Sequence, residues 1–90
     1  MERIIITVVG KDQVGIIGKI CTKLSDSGIN ILDISQTIVS GFFNMMVIAD
    51  LSTGNIPFSQ IAGELKALGD SMGLTVQTQR EEIFTAMHRI

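Results

Sequence analysis

The 90-residue chain predicts an α+β sandwich built in the order strand, helix, strand, strand, helix, strand. Three observations carry this. Runs rich in β-branched residues alternate with two segments of helical apolar spacing. Each helical segment is followed by a glycine and then an apolar strand, "SGINI" and "MGLTV". A two-residue Ser40–Gly41 turn separates the two middle strands.

The first strand is "RIIITVVG", with Ile4, Ile6 and Val8 on one face and Ile5, Thr7 and Val9 on the other. Both faces are largely apolar, so both are expected to be covered at least in part. A helix is expected from about Val14 to Ser27, because Ile17, Ile20, Cys21 and Leu24 share one face. Asp12 is placed to cap its first turn, and Gly28 to end it. "INILDISQTIV" and "FFNMMVIADL" then form a hairpin. Pro57 opens a second helix, where its missing amide costs nothing. Its stripe is Phe58, Ile61, Ala62, Leu65, Leu68 and Met72. "LTVQTQ" reads as the fourth strand, with Leu74 and Val76 inward. The tail "REEIFTAMHRI" predicts a short helix over 81–90, with Ile83, Phe84, Met87 and Ile90 as its stripe. Alone it is too short to be stable and is expected to dock.

Each half is a split β-α-β unit, and right-handed crossovers give strand order 4-1-3-2. The fold class is therefore a ferredoxin-like βαββαβ sandwich: an antiparallel sheet, two helices on one face, and a short C-terminal helix. The core domain is 1–80 and the tail 81–90. Ile5, Val9, Met46 and Ile48 are assigned to the open sheet face, for a dimer partner or the tail to cover.

Composition narrows the function. Hydrophobic residues make up 46% of the chain and mean hydropathy is +0.43, so some apolar surface is expected to be buried against a partner. The net charge of −2 lacks the basic footprint of a nucleic-acid binder. No apolar run reaches membrane-spanning length, and no signal peptide is read at the start. Starting at Met without low-complexity sequence, the chain is expected to be a complete small protein. Cys21 is the only cysteine, which excludes an intrachain disulfide and favours a reducing cytoplasm. His88 is the only histidine, so neither a multi-histidine metal site nor a Ser–His pair is available. Asp33 and Asp50 are placed to face one another across the hairpin, without metal partners. No catalytic residue, metal or cofactor is expected.

"VVGKDQVGIIGKI" runs from strand to helix through glycines, the grammar of a phosphate cradle. The spacing is wrong for one. Ile16 and Ile17 follow Gly15 where a P-loop needs Gly-Lys, and Gln13 stands where a dinucleotide fingerprint needs its first glycine. Among ferredoxin-like proteins, acylphosphatases need an arginine in this loop and metal carriers need paired cysteines. RNA-recognition motifs need aromatics on the first strand. All three are missing here.

Gly10, Asp12 and Gly15, followed by "SGINI" at strand two, resemble the ACT domain over roughly residues 2–80. The whole chain, with "IFTAMHRI" at its tail, resembles the small standalone bacterial ACT proteins. It is similar, more distantly, to the ACT repressors of glycine-cleavage genes. The resemblance implies a non-catalytic regulatory module that binds a small amino-acid-like ligand at a homodimer interface and signals to a protein partner. It implies a ligand loop of Gly10, Lys11, Asp12, Gln13, Val14 and Gly15, with Asn30 contributed across the dimer. Five of these residues have a plainer reading beside this one. Gly15 serves close packing, Asp12 caps the helix, Lys11 and Gln13 are solvated, and Asn30 is a turn residue after Gly28. A structural dimerisation module without a ligand is the alternative function.

Overall fold

The computed structural model describes residues 1–82. Its elements are β1 (Arg3–Lys11), α1 (Ile16–Asp26), β2 (Asn30–Val39), β3 (Phe42–Asp50), a short 3-10 turn (Leu51–Thr53), α2 (Phe58–Ser71) and β4 (Thr75–Arg80). The sheet is antiparallel in the order β2-β3-β1-β4, as expected from right-handed crossovers. The fold is the ferredoxin-like βαββαβ sandwich. The tail stripe Ile83, Phe84, Met87 and Ile90, and His88, lie outside the described residues.

The core follows from period-two alternation in the sheet. Ile4, Ile6 and Val8 of β1 are buried and stand opposite Ala49, Val47 and Met45 of β3. Ile16, Ile20 and Leu24 of α1, and Ile61 and Leu65 of α2, close over them. Fully burying each such side chain is worth about 1.5–3 kcal/mol. On the other face Ile5 is only 5% exposed, flanked by Ile48 and Gln79.

α1 is rotated from the expected face. Ile16, Ile20 and Leu24 are its buried residues, whereas Ile17 is exposed and Cys21 only half-buried. The i, i+4, i+8 row therefore leads, not the row through Ile17 and Cys21. Asp33 and Asp50 do not face one another either. A register shift between Ile31 and Asp33 pairs Asp33 with Ile48, and Asp50 with Asn30.

The two halves end their helices in the same way. After α1, Gly28 has φ 72° and the Ile29 N–H donates to the Leu24 carbonyl at 2.9 Å. After α2, Gly73 has φ 71° and the Leu74 N–H donates to the Gly69 carbonyl at 2.8 Å. Both are six-to-one closures that need a left-handed residue. Ser40 and Gly41 also take positive φ, as a two-residue hairpin turn matched to strand twist requires.

Asp50 ties the chain start to the end of β3. Its Oδ1 accepts from the Glu2 N–H at 3.0 Å, the Ser52 N–H at 3.0 Å and the Ser52 hydroxyl at 2.6 Å. These bonds, the Ser52 hydroxyl foremost, hold its carboxyl below the usual value of 3.8. A depressed carboxylate stabilises the fold above its unfolded pKa. That stability is lost as pH falls through the lower folded value. Urea midpoints taken between about pH 2 and 5 should show a steeper acid decline for the natural chain than for Asp50→Asn.

Helix α2 carries a paired test of packing. A Cβ on Gly69 would lie 2.3 Å from Val76 Cγ2, while one on Gly63 meets nothing within 4 Å. Alanine adds about 0.8–1 kcal/mol of helix propensity at either site. At Gly69 an overpacking cost of about 1–3 kcal/mol opposes it. Urea denaturation should therefore find Gly63→Ala more stable than the natural chain, and Gly69→Ala less stable.

Candidate ligand site

The loop between β1 and α1 is shaped by one residue. Gly15 has φ 91° and occupies the N-cap position, with no side-chain cap. The turn delays the helix to Ile16, later than the expected start at Val14. Asp12 is then too far upstream to cap, so that expectation fails. The N–H groups of Ile16, Ile17 and Gly18 have no intrahelical acceptor, as at any helix start, and α1 has no acid in its first turn. The positive end of the helix dipole is open there.

The loop is anchored to the β2–β3 hairpin. The Asp12 N–H donates to the Gly41 carbonyl at 2.9 Å. Between loop and hairpin lies a shallow concavity of about 220 Å³, lined by Asp12, Gln13, Gly15, Gln36, Ile38 and Phe43 among others. Ile16, Ile17 and Gly18 form its helix side. Among the described residues the Asp12 carboxylate makes no hydrogen bond or ion pair. The floor is apolar, with Phe43 and Ile16 both buried.

The remaining loop residues divide by role. Gly10 is required by packing, since a Cβ there would lie 2.5 Å from Leu74 Cδ2. Gln13 is engaged, its Nε2 donating to the Met72 carbonyl at 2.9 Å and thereby tying the loop to the end of α2. Lys11 stands opposite Phe42 on the open sheet face, away from the concavity. Val14 is 98% exposed. Asn30 lies at the far end of α1, whose eleven residues span about 16 Å. Its N–H donates to Thr53 Oγ1 at 2.8 Å. One chain thus brings together Asp12, Gln13 and Gly15 but not Asn30. Gln36, Ile38 and Phe43 were absent from the sequence-derived set. Their signal is the alternation Ile34, Gln36, Ile38, which turns these residues toward the helix layer once β2 is registered on β3.

Another concavity, of about 410 Å³, lies at Met1–Arg3 and Arg80–Glu82. Both of its arginines are already paired, Arg80 with Glu2 and Arg3 with Glu81 at 3.4 Å. Among the described residues no three His, Cys, Asp or Glu side chains converge as a metal site. No described helix is long and apolar enough to cross a membrane.

A family model of the ACT domain matches residues 2–79. A UPF0237 protein of Bifidobacterium longum is 54% identical over 90 residues, covering all of both chains. An ACT domain protein from Streptococcus pneumoniae superposes with a TM-score of 0.80 at 36% identity, covering 92% of this chain and 93% of that one. A chain assigned as a glycine cleavage system transcriptional repressor superposes at 0.75 with 22% identity, covering 88% of this chain and 45% of that one. That last likeness is one of fold. With nearly nine-tenths of its length matched by the family model and a full-length relative above half identity, this chain belongs to the ACT domain family.

Proposed function

We propose that this ACT domain is a non-catalytic regulatory module that binds an amino-acid-like ligand between its β1–α1 loop and the partner subunit of a homodimer. The observation that carries the reading is the uncapped start of α1 beside the unpaired Asp12 carboxylate. An α-amino acid presents the complementary pair of charges. Its carboxylate suits the free N–H groups of Ile16–Gly18, and its ammonium suits Asp12. The site offers no nucleophile beside a base, which supports binding over turnover. The single half-buried thiol of Cys21 suits a reducing, cytoplasmic setting.

The second subunit is proposed from the sheet edge. β2 pairs only with β3, and its Leu32, Ile34, Ile38 and Val39 are exposed. A ten-residue apolar edge strand invites pairing with another copy. A two-fold axis through Ile34 would set the backbone of Asn30 of the partner subunit across from Ile38. That arrangement supplies the residue which one chain holds about 16 Å away. A purely structural module is the second reading. It is favoured by the packing role of Gly10 and the engaged amide of Gln13.

Light scattering at micromolar concentration should give twice the chain mass. Ile34→Lys sets two like charges against each other at the axis and should yield a monomer with native circular dichroism. A natural chain that is already monomeric would refute the shared site.

Thermal-shift screening of the common amino acids tests the ligand. At ~100 times Kd a ligand adds about 2.7 kcal/mol, a rise of several degrees for a domain of this size. Asp12→Asn should weaken the bound amino acid about tenfold or more, since a charge-assisted bond is worth roughly 1.5–3 kcal/mol. It should spare the matching carboxylic acid that lacks the amine. Gly15→Val should abolish binding at a cost in stability, because valine is strained at φ 91°, with circular dichroism verifying the fold, and Asn30→Ala should weaken it by roughly 0.5–1.5 kcal/mol. If no amino acid shifts the natural chain, the structural reading takes over.

A further inference from the structure

The amino-acid reading leaves open which side chain the site accepts, and the walls of the concavity bear on that. They divide by chemistry. Among the described residues Asp12 is the only charged one on these walls. The free amides of α1 lie on the helix side, and Gln36 projects from β2. Gln13 lines the loop side, its amide nitrogen held by the Met72 carbonyl, and the rest of the surface is largely carbon: Ile17, Ile38 and buried Phe43. Ile38 is 58% exposed in the single chain, an apolar side chain left at the mouth of a polar loop.

Resting on the function proposed above, we infer that the site selects α-amino acids with aliphatic side chains, and that Ile38 and Gln36 of β2 divide the recognition between them. Asp12 already matches the ligand's ammonium, and the helix start its carboxylate. An acidic or basic side chain would then bring a charge with no opposite partner on the walls. It would lose its hydration and gain nothing. A small hydroxylated side chain would leave Ile38 and Ile17 wet. A branched aliphatic one covers them, and at about 220 Å³ the concavity is small even against the usual range for ligand pockets. Among the described residues the Gln36 amide makes no hydrogen bond, so its N–H is free to donate to the ligand's carboxylate. That group is common to every amino acid. Gln36 therefore serves affinity and Ile38 serves choice.

The two roles separate by calorimetry with L-leucine, L-valine, L-serine, L-aspartate and L-lysine as probes. The natural chain should bind leucine and valine at least about tenfold more tightly than serine, the scale of discrimination that one or two methylenes supply. Ile38→Asn should bring the leucine-to-serine ratio close to one, with serine affinity unchanged. Gln36→Leu should weaken leucine and serine by the same factor. Both positions are exposed in the single chain, and circular dichroism verifies each fold and light scattering each dimer. If neither variant folds, leucine, serine and aspartate on the natural chain still decide the selection. Equal or tighter binding of serine or aspartate overturns it while the amino-acid reading stands. So does an unchanged ratio in Ile38→Asn. If none of the five probes binds the natural chain, the amino-acid reading itself fails and the selection falls with it.

Discussion

The hydrogen bond from the Asp12 N–H to the Gly41 carbonyl, at 2.9 Å, holds the candidate site together. It joins the loop after β1 to the tip of the β2–β3 hairpin, two segments far apart in sequence. Two left-handed turns make it possible. Gly15, at φ 91°, turns the chain into α1 only after Asp12 has reached the hairpin. Ser40 and Gly41 turn the hairpin tightly enough to present the carbonyl. Between the joined segments lies the concavity, with helix amides on one side and β2 side chains on the other.

Two glycines of this loop act through different physics. Gly10 is required by space, because Leu74 leaves no room for a Cβ. Gly15 is required by backbone angle, because a Cβ there would meet only Lys19 Cε at 4.0 Å. A side chain at Gly15 would thus cost conformational strain and project into the ligand's approach. A side chain at Gly10 would displace buried Leu74, just ahead of β4. Gln13 adds a third constraint by binding the loop to the Met72 carbonyl. A loop held at three points is preorganised.

The fold was legible because its signals are local and repeated. The helix-ending glycines 28 and 73, the Ser40–Gly41 turn and the alternation of Ile4, Ile6 and Val8 each state one geometry, and all agree. The site was legible only in part. Asp12 looked like a cap because an acid just before an apolar helical run usually is one. The left-handed angle at Gly15, which displaces the helix start, leaves no mark beyond the glycine itself. The same delay explains why Ile16 rather than Ile17 leads the buried row. Gln36 and Ile38 were hidden because only the pairing of β2 with β3 carries them to the loop. The shift between Ile31 and Asp33 changes which residues face each other in a way that alternation alone does not reveal.

The central claim is that the open start of α1 receives the carboxylate of an amino acid. Amide-resolved NMR titration of the natural chain with L-leucine tests this directly, since N–H groups that acquire an acceptor shift strongly. Saturable changes at the amides of Ile16, Ile17 and Gly18, with smaller ones at Gln36 and Ile38, are the predicted result. Changes confined to the concavity at Met1–Arg3 and Arg80–Glu82, or no change at these amides with millimolar leucine, serine or aspartate, would contradict it.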